Sequence, residues 1–207
     1  MGWSWTRATH YDKKGRIDRK AECDALFNNN CRIERSVMVG SVYYAAVTVL
    51  RKYVGTDTDK DARVLYEIPA EEQETFAAVI LTGCNMSDYY NFGTKYMDET
   101  VGPVEAECPI SIINLLTPTN DEYARIWRER CKKHAYERRL VRVKQDKLSK
   151  LQYGTKIRFT DRLGRKCIAV KMAPNKQFKR YWWYLPDCNR YYSKSRIPCE
   201  FEVLDIA

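Results

Sequence analysis

Long apolar runs, histidine and closely spaced cysteine are all scarce in this sequence. No stretch of 18 consecutive apolar residues occurs, so no segment is predicted to cross a bilayer as a helix. The first residues do not combine a basic region with an apolar one, so a secretory signal is not expected. We therefore expect a cytoplasmic protein that has no membrane partner.

The eight cysteines are scattered, and no two are separated by only two to four residues. A zinc site needs such a spacing, or histidines as additional ligands, and the chain has only His10 and His134. Buried cysteine behaves as a small hydrophobic residue. We therefore predict reduced, partly buried thiols, with no metal site and no cofactor.

Acidic residues become scarce after residue 120. Residues 1–120 hold 13 basic and 17 acidic side chains, whereas residues 121–150 hold 11 and 5 and residues 151–207 hold 12 and 5. The net charge of +9 therefore arises entirely in the second part of the chain. Such segregation is typical of a surface that binds a polyanion.

The apolar patterns predict an α+β fold. Asp18 is expected to cap a short helix, and the capping box from Thr119 to Glu122 predicts the start of a long one. Stretches rich in β-branched and aromatic residues predict strands at 33–39, 42–50, 76–82 and 155–159. The predicted organisation is a mixed α/β N-terminal domain (1–118), a long basic helix (119–151) and a small β-barrel-like C-terminal module (152–207).

The C-terminal module interleaves basic with aromatic side chains, and the helix before it carries a basic run at 138–150. Cations bind phosphates and flat rings stack on unpaired bases, so this pattern favours a single strand of nucleic acid. Asp146 is the only acid within 138–150, which favours a polyanion or an acidic protein surface over a solvated face. The alternative is that Trp182 or Trp183 fills the core of the module. The predicted contact residues are Arg138, Arg139, Arg142, Lys144, Lys179, Arg180, Trp182, Trp183, Arg190 and Tyr191.

A second hypothesis is catalysis in the N-terminal domain. A histidine beside carboxylates and a lysine can supply general acid–base chemistry or hold a divalent ion. However, the sequence contains no nucleophile elbow, phosphate loop or paired-metal spacing. A binding protein is therefore favoured, and a nuclease or modifying enzyme remains the alternative. Its candidate residues are His10, Asp18, Lys20 and Glu22.

Six segments form a set of motifs: Met1-Gly2-Trp3, Ala8–Tyr11, Asp18–Asp24, Met97–Pro103, Cys108-Pro109 and Leu115–Thr119. Together they resemble a largely uncharacterised family carried by phages, plasmids and conjugative elements of Gram-positive bacteria. The resemblance implies a mobile-element accessory protein in the cytoplasm of a bacterial host. Some proteins in this setting act against host defences, including as anti-CRISPR inhibitors of Cas9-type nucleases. The expected partner is therefore a nucleic acid or a guide-RNA-loaded effector nuclease, which the protein would inhibit.

Overall fold

The computed structural model describes residues 2–27, 29–54, 64–85, 87, 89–174 and 183–205. The chain forms two compact units, Met1–Ala135 and Tyr136–Ala207. Helices and antiparallel sheets occur together, so the predicted α+β class is confirmed. The division between the units falls inside the longest helix, to which the sequence prediction gave a segment of its own.

Unit 1, Met1–Ala135, is built on a five-stranded antiparallel sheet. Its strands are β1 (Ser4–Thr6), β2 (Cys31–Val39), β3 (Val42–Val49), β6 (Thr75–Cys84) and β7 (Phe92–Asp98), beside a separate hairpin of β4 (Arg51–Val54) and β5 (Val64–Glu67). The sheet order is β1-β7-β6-β3-β2. The strands predicted around 33–39, 42–50 and 76–82 are confirmed, whereas β7 and the hairpin were not predicted.

Both faces of this sheet are covered. On β3, Tyr44 belongs to one buried cluster and Tyr43 to another, because successive side chains of a strand point to opposite faces. Helix α1 (Arg19–Asp24) contributes Cys23 to the cluster of Tyr43. Helix α2 (Ile110–Ile113) and the first part of a longer helix contribute to the cluster of Tyr44. The central strands are therefore mostly apolar, with Thr48 and Thr82 as their buried polar residues.

The long helix α3 (Glu122–Lys150) is present as predicted, but its cap is a different residue. The Asp121 carboxylate accepts a hydrogen bond from the backbone N–H of Ala124 at 2.7 Å. Thr119 lies too far before the first helical residue to cap it, and its hydroxyl accepts from the N–H of Asp121 at 3.1 Å instead. The predicted capping box at Thr119 is therefore wrong, and Asp121 is the N-cap.

Unit 2, Tyr136–Ala207, contains a second antiparallel sheet and the later part of α3. Its strands are β8 (Lys156–Thr160), β9 (Lys166–Lys171), β10 (Trp183–Leu185), β11 (Arg190–Tyr192) and β12 (Glu202–Asp205). The order is β11-β10-β9-β8-β12, and among the residues described nothing pairs β11 with β12. The module is thus an open sheet in the part of the chain that the structure describes, and no closed barrel is formed there.

A buried lysine joins this sheet to the end of α3. The Nζ of Lys171, which is 4% exposed, donates to the carbonyl oxygens of Leu148 at 3.2 Å, Ser149 at 2.9 Å and Leu151 at 2.6 Å. The last carbonyls of a helix have no partner within the helix, and a cation there also interacts favourably with the helix dipole. Lys171 therefore fixes the C-terminal end of α3 against β9.

Candidate nucleic-acid interface

The C-terminal sheet has one buried and one solvent-facing side. Along β8, Ile157 and Phe159 are buried in the core of unit 2 together with Leu148 of α3. Because side chains alternate along a strand, the residues between them point to the opposite side. We call that side the outer face. Its described members are Lys156, Arg158, Thr160, Lys166, Ile168, Val170, Tyr184, Tyr191 and Glu202.

Two tyrosines form the aromatic part of the outer face. Tyr184 on β10 lies directly opposite Tyr191 on β11, and their ring centroids are 5.1 Å apart with planes tilted by 42°. Both side chains are half-buried. Val170, the cross-strand neighbour of Tyr184 on β9, extends the apolar area. This arrangement of rings on a sheet surface can receive the flat faces of nucleic-acid bases.

Three basic side chains lie on the same face as the two rings, on β8 and at the start of β9. Lys156, Arg158 and Lys166 are all exposed on the outer face. Arg158 approaches Glu202 at 3.3 Å, but both side chains are largely in solvent, so the pair is screened and weak. The exposed charged side chains described on β8 and β9 of the outer face are therefore all basic, which suits a phosphate backbone.

Three predicted arginines of α3 are also accessible. Arg138, Arg139 and Arg142 are exposed, and within the described residues none has an ion-pair partner. With 3.6 residues per turn, the three lie within about 100° of one another around the helix axis, and Arg139 and Arg142 point away from Leu148. They are free to bind an anion.

Unit 2 also contains a groove of about 910 Å³ that is lined by several basic side chains. Its single acidic lining residue, Asp161, is already paired with Arg165 at 2.7 Å. The guanidinium of Arg196 lies 5.6 Å from the ring centroid of Tyr192, and Arg162 has no ion-pair partner in the described part of the chain. The groove therefore has a net positive lining.

Two predicted contact residues prove to be buried. Lys144 is 7% exposed, and its Nζ donates to the carbonyl of Ile197 at 2.8 Å. Trp183 is 0% exposed and fills the core of unit 2. Both predictions are wrong, because the ammonium group of Lys144 is bonded to a backbone carbonyl and the ring of Trp183 has no exposed surface. The signal was present in the sequence, since Lys144 lies one helical turn before the apolar Leu148.

Of the remaining predicted contact residues, the structure describes two and leaves three undescribed. Arg190 is exposed on the edge strand β11, and Tyr191 lies on the outer face. Lys179, Arg180 and Trp182 lie outside the described residues, so their roles stay predictions. The sequence analysis did not single out Tyr184, Lys156, Arg158 or Lys166, although alternation with the buried Ile157 and Phe159 was the available signal.

The four candidate catalytic residues do not form one site. Glu22 is 8% exposed, and its Oε1 accepts from the backbone N–H groups of Thr9 and His10 and lies 3.3 Å from Nδ1 of His10. Asp18 caps α1 as predicted, by accepting from the N–H of Ala21 at 3.1 Å. Lys20 pairs with Asp24 at 2.6 Å. His10 and Glu22 are therefore together, while Asp18 and Lys20 have separate structural contacts.

No group of three or more His, Cys, Asp or Glu side chains suited to a metal ion occurs among the residues that the structure describes. All eight cysteines are free thiols. None of the described helices is both long enough and apolar enough to span a membrane.

Comparisons of the chain with protein-family models, with curated proteins and with solved structures find no match. The function is therefore inferred from the chain's own geometry and from its motifs.

Proposed function

We propose that the protein binds single-stranded nucleic acid, free or within a ribonucleoprotein, through unit 2. The observation that carries this proposal is the outer face of the C-terminal sheet, where Tyr184 and Tyr191 form one aromatic area and where Lys156, Arg158 and Lys166 lie on the same face. Rings that accept bases and cations that accept phosphates are the two elements that a single strand needs. A duplex hides its base faces, so the rings favour unpaired nucleotides.

The arginines of α3 would supply additional phosphate contacts. Because α3 packs against the buried side of the sheet, they lie away from the outer face, and a strand that contacts both must pass round the edge of unit 2. Arg138, Arg139 and Arg142 form no ion pair within the described residues. Contacts of this kind carry no sequence information, because phosphates are the same along a strand. We therefore expect tight binding with little sequence preference.

The motif resemblance supplies the biological setting of the proposal. As an accessory factor of a mobile element, the protein would occupy the exposed RNA or displaced DNA strand of a guide-RNA-loaded defence complex of the Cas9 type. Inhibition would then be stoichiometric and without cleavage of the nucleic acid. That outcome separates this function from the alternative of an enzyme that acts on nucleic acid or on a host defence protein.

The interface is tested by removing its rings. Replacing Tyr184 and Tyr191 together with alanine is expected to weaken binding of a fluorescein-labelled (rU)12 strand at least tenfold, since each stacked base contributes about 1–3 kcal/mol. Fluorescence anisotropy measures this affinity. Replacement of both by phenylalanine should retain most of the binding, because the rings remain.

A matched control exists in unit 1. Tyr89 and Tyr90 are exposed by 72% and 54%, and their ring centroids are 5.3 Å apart. Their replacement by alanine should leave the affinity for (rU)12 unchanged. Equal losses in the two double-alanine variants would contradict the assignment of the interface to the outer face.

A further inference from the structure

Two tryptophans near the N-terminus lie side by side on the sheet of unit 1. Trp3 is 46% exposed and Trp5 is 38% exposed. Their ring centroids are 5.9 Å apart, and the ring planes differ by only 27°. A tryptophan is large and mostly apolar, so two half-exposed ones in contact form a small contiguous apolar patch on the surface.

The rings rest on glycines. Trp5 lies directly opposite Gly93 of β7, which in turn lies opposite Gly83 of β6. A Cβ atom added at Gly93 would lie 2.9 Å from three carbons of the Trp5 ring, and one added at Gly83 would lie 3.4 Å from both tryptophans. Neither glycine has a positive φ, so the backbone does not require glycine at either position. Glycine is required at both positions because the tryptophan rings approach the backbone so closely.

The glycines therefore let the two rings lie flat on the sheet. Glycine weakens a strand interior, and it commonly marks a place where another group approaches the backbone closely. Here the approaching groups are the two rings, which present their outer surface to solvent as one nearly flat area. We call Trp3, Trp5, Gly83 and Gly93 the tryptophan platform.

Charge around the platform is positive. Lys95 lies two residues from Gly93 on β7 and so points to the same side of the sheet. Arg7 directly follows β1 and is exposed. Neither has an ion-pair partner among the described residues. The strands β1 and β6 contain no acidic residue, and the one acid of β7, Asp98, lies at the far end of that strand.

The size of the platform limits what can cover it. An aromatic side chain buries 150–250 Å² in a core, so the exposed parts of two half-buried tryptophans amount to about 200 Å². A stable protein interface buries about 800 Å² on each partner. The area matches one or two flat rings, whereas a protein partner would have to cover much more of the surface than the two tryptophans.

We propose that the tryptophan platform is a stacking site for the bases of unpaired nucleotides, whose phosphates bind Arg7 and Lys95. The choice of nucleotides follows from the combination of flat rings with two cations that form no ion pair among the described residues. The site lies in unit 1 and uses none of the residues of the outer face, so it goes beyond the function proposed above.

The test follows the indole N–H signals of the full-length chain in ¹⁵N–¹H spectra, with (rU)4 as the probe. The signals of Trp3 and Trp5, assigned from Trp3→Phe and Trp5→Phe, are expected to shift on addition of (rU)4. Trp127 is an internal control, because it is 1% exposed and its Nε1 donates to the carbonyl of Glu105 at 2.6 Å. Its signal should not move.

An abasic tetranucleotide of equal charge separates stacking from phosphate binding, and it should leave the signals of Trp3 and Trp5 unchanged. Gly93→Ala, which lifts the Trp5 ring, is expected to weaken (rU)4 binding about tenfold. Gly2→Ala is the matched control, because a Cβ at Gly2 has no atom within 4 Å. The Trp3→Ala, Trp5→Ala double variant is a second test, which applies even if Gly93→Ala disturbs folding. It should also weaken (rU)4 binding about tenfold.

The proposals for the tryptophan platform and for the outer face can be rejected independently of each other. Unmoved Trp3 and Trp5 signals, or equal shifts with the abasic probe, would overturn the platform even if (rU)12 still depends on Tyr184 and Tyr191. Conversely, shifts of the two indoles in a chain that lacks both tyrosines would support the platform alone.

Discussion

Replacement of Arg128 by methionine is expected to lower the free energy of unfolding of unit 1 by about 3–5 kcal/mol. The Arg128 guanidinium donates to both carboxylate oxygens of Glu99, from Nε at 2.7 Å and from Nη2 at 2.8 Å. Glu99 is 1% exposed and also accepts from the backbone N–H of Ala77 at 3.0 Å. Without the arginine, a buried carboxylate would lose its only charged partner in the described structure, and that is what makes the substitution costly.

Urea unfolding measures this loss. Arg32→Met is the matched control, because Arg32 pairs with Glu34 at 2.7 Å with a side chain that is 57% exposed, and such pairs contribute at most about 1 kcal/mol. A Glu99→Leu, Arg128→Met double variant should recover part of the stability, since it leaves no buried charge. A loss in Arg128→Met no larger than that in Arg32→Met would refute this role for the pair.

Raising the pH from 8 to 10 is expected to destabilise unit 1 by about 4 kcal/mol. Burial raises the pKa of the Cys23 thiol to about 12 and that of Cys131 to about 11, and it also raises the pKa of Cys108, all from an ordinary value of 9.0. Above that value the unfolded chain releases three protons that the folded chain retains. Stability is thus fully present below about pH 9 and is lost as the pH rises, by about 1.4 kcal/mol per thiol at one unit above.

Urea unfolding at both pH values provides the measurement. A variant with alanine at Cys23, Cys108 and Cys131 should lose much less stability between pH 8 and pH 10, whatever its stability at pH 8. Burial also raises the pKa of Tyr43 and Tyr44, so a smaller decline should remain. An identical decline in the wild type and in the alanine variant would show that the thiols do not cause it.

The elements that the sequence predicted are those with continuous local signals. The apolar run from Val42 to Val49 is buried from both sides, so its composition alone indicates a strand. Strand β7 is not evident in the sequence because Gly93 and Lys95 interrupt its apolar pattern. In the structure, the absence of a side chain at Gly93 makes room for the Trp5 ring. The cap of α3 was misplaced by two residues because Thr119 and Asp121 are both good capping residues.

The candidate site was predictable in kind but not in detail. The alternation of basic and aromatic side chains pointed to the C-terminal unit, yet composition does not say which aromatic ring faces solvent. The alternation of Trp183, Tyr184 and Leu185 places the tyrosine outside and its neighbours inside. Contacts between residues distant in sequence, such as Lys144 with Ile197, have no local signal at all.

Binding of (rU)12 as a function of salt concentration tests the central claim most directly, because that claim is an electrostatic one. For the intact protein, a plot of log K against log salt concentration should have a slope of about −3 or steeper, as expected at about −0.7 per phosphate contacted in a single strand. Alanine at Arg138, Arg139 and Arg142 should make the slope shallower by about 2. Alanine at Lys13, Lys14 and Arg35, which are exposed cations of unit 1, should leave it unchanged. An affinity that does not vary with salt would contradict the assignment of unit 2 as a nucleic-acid-binding surface.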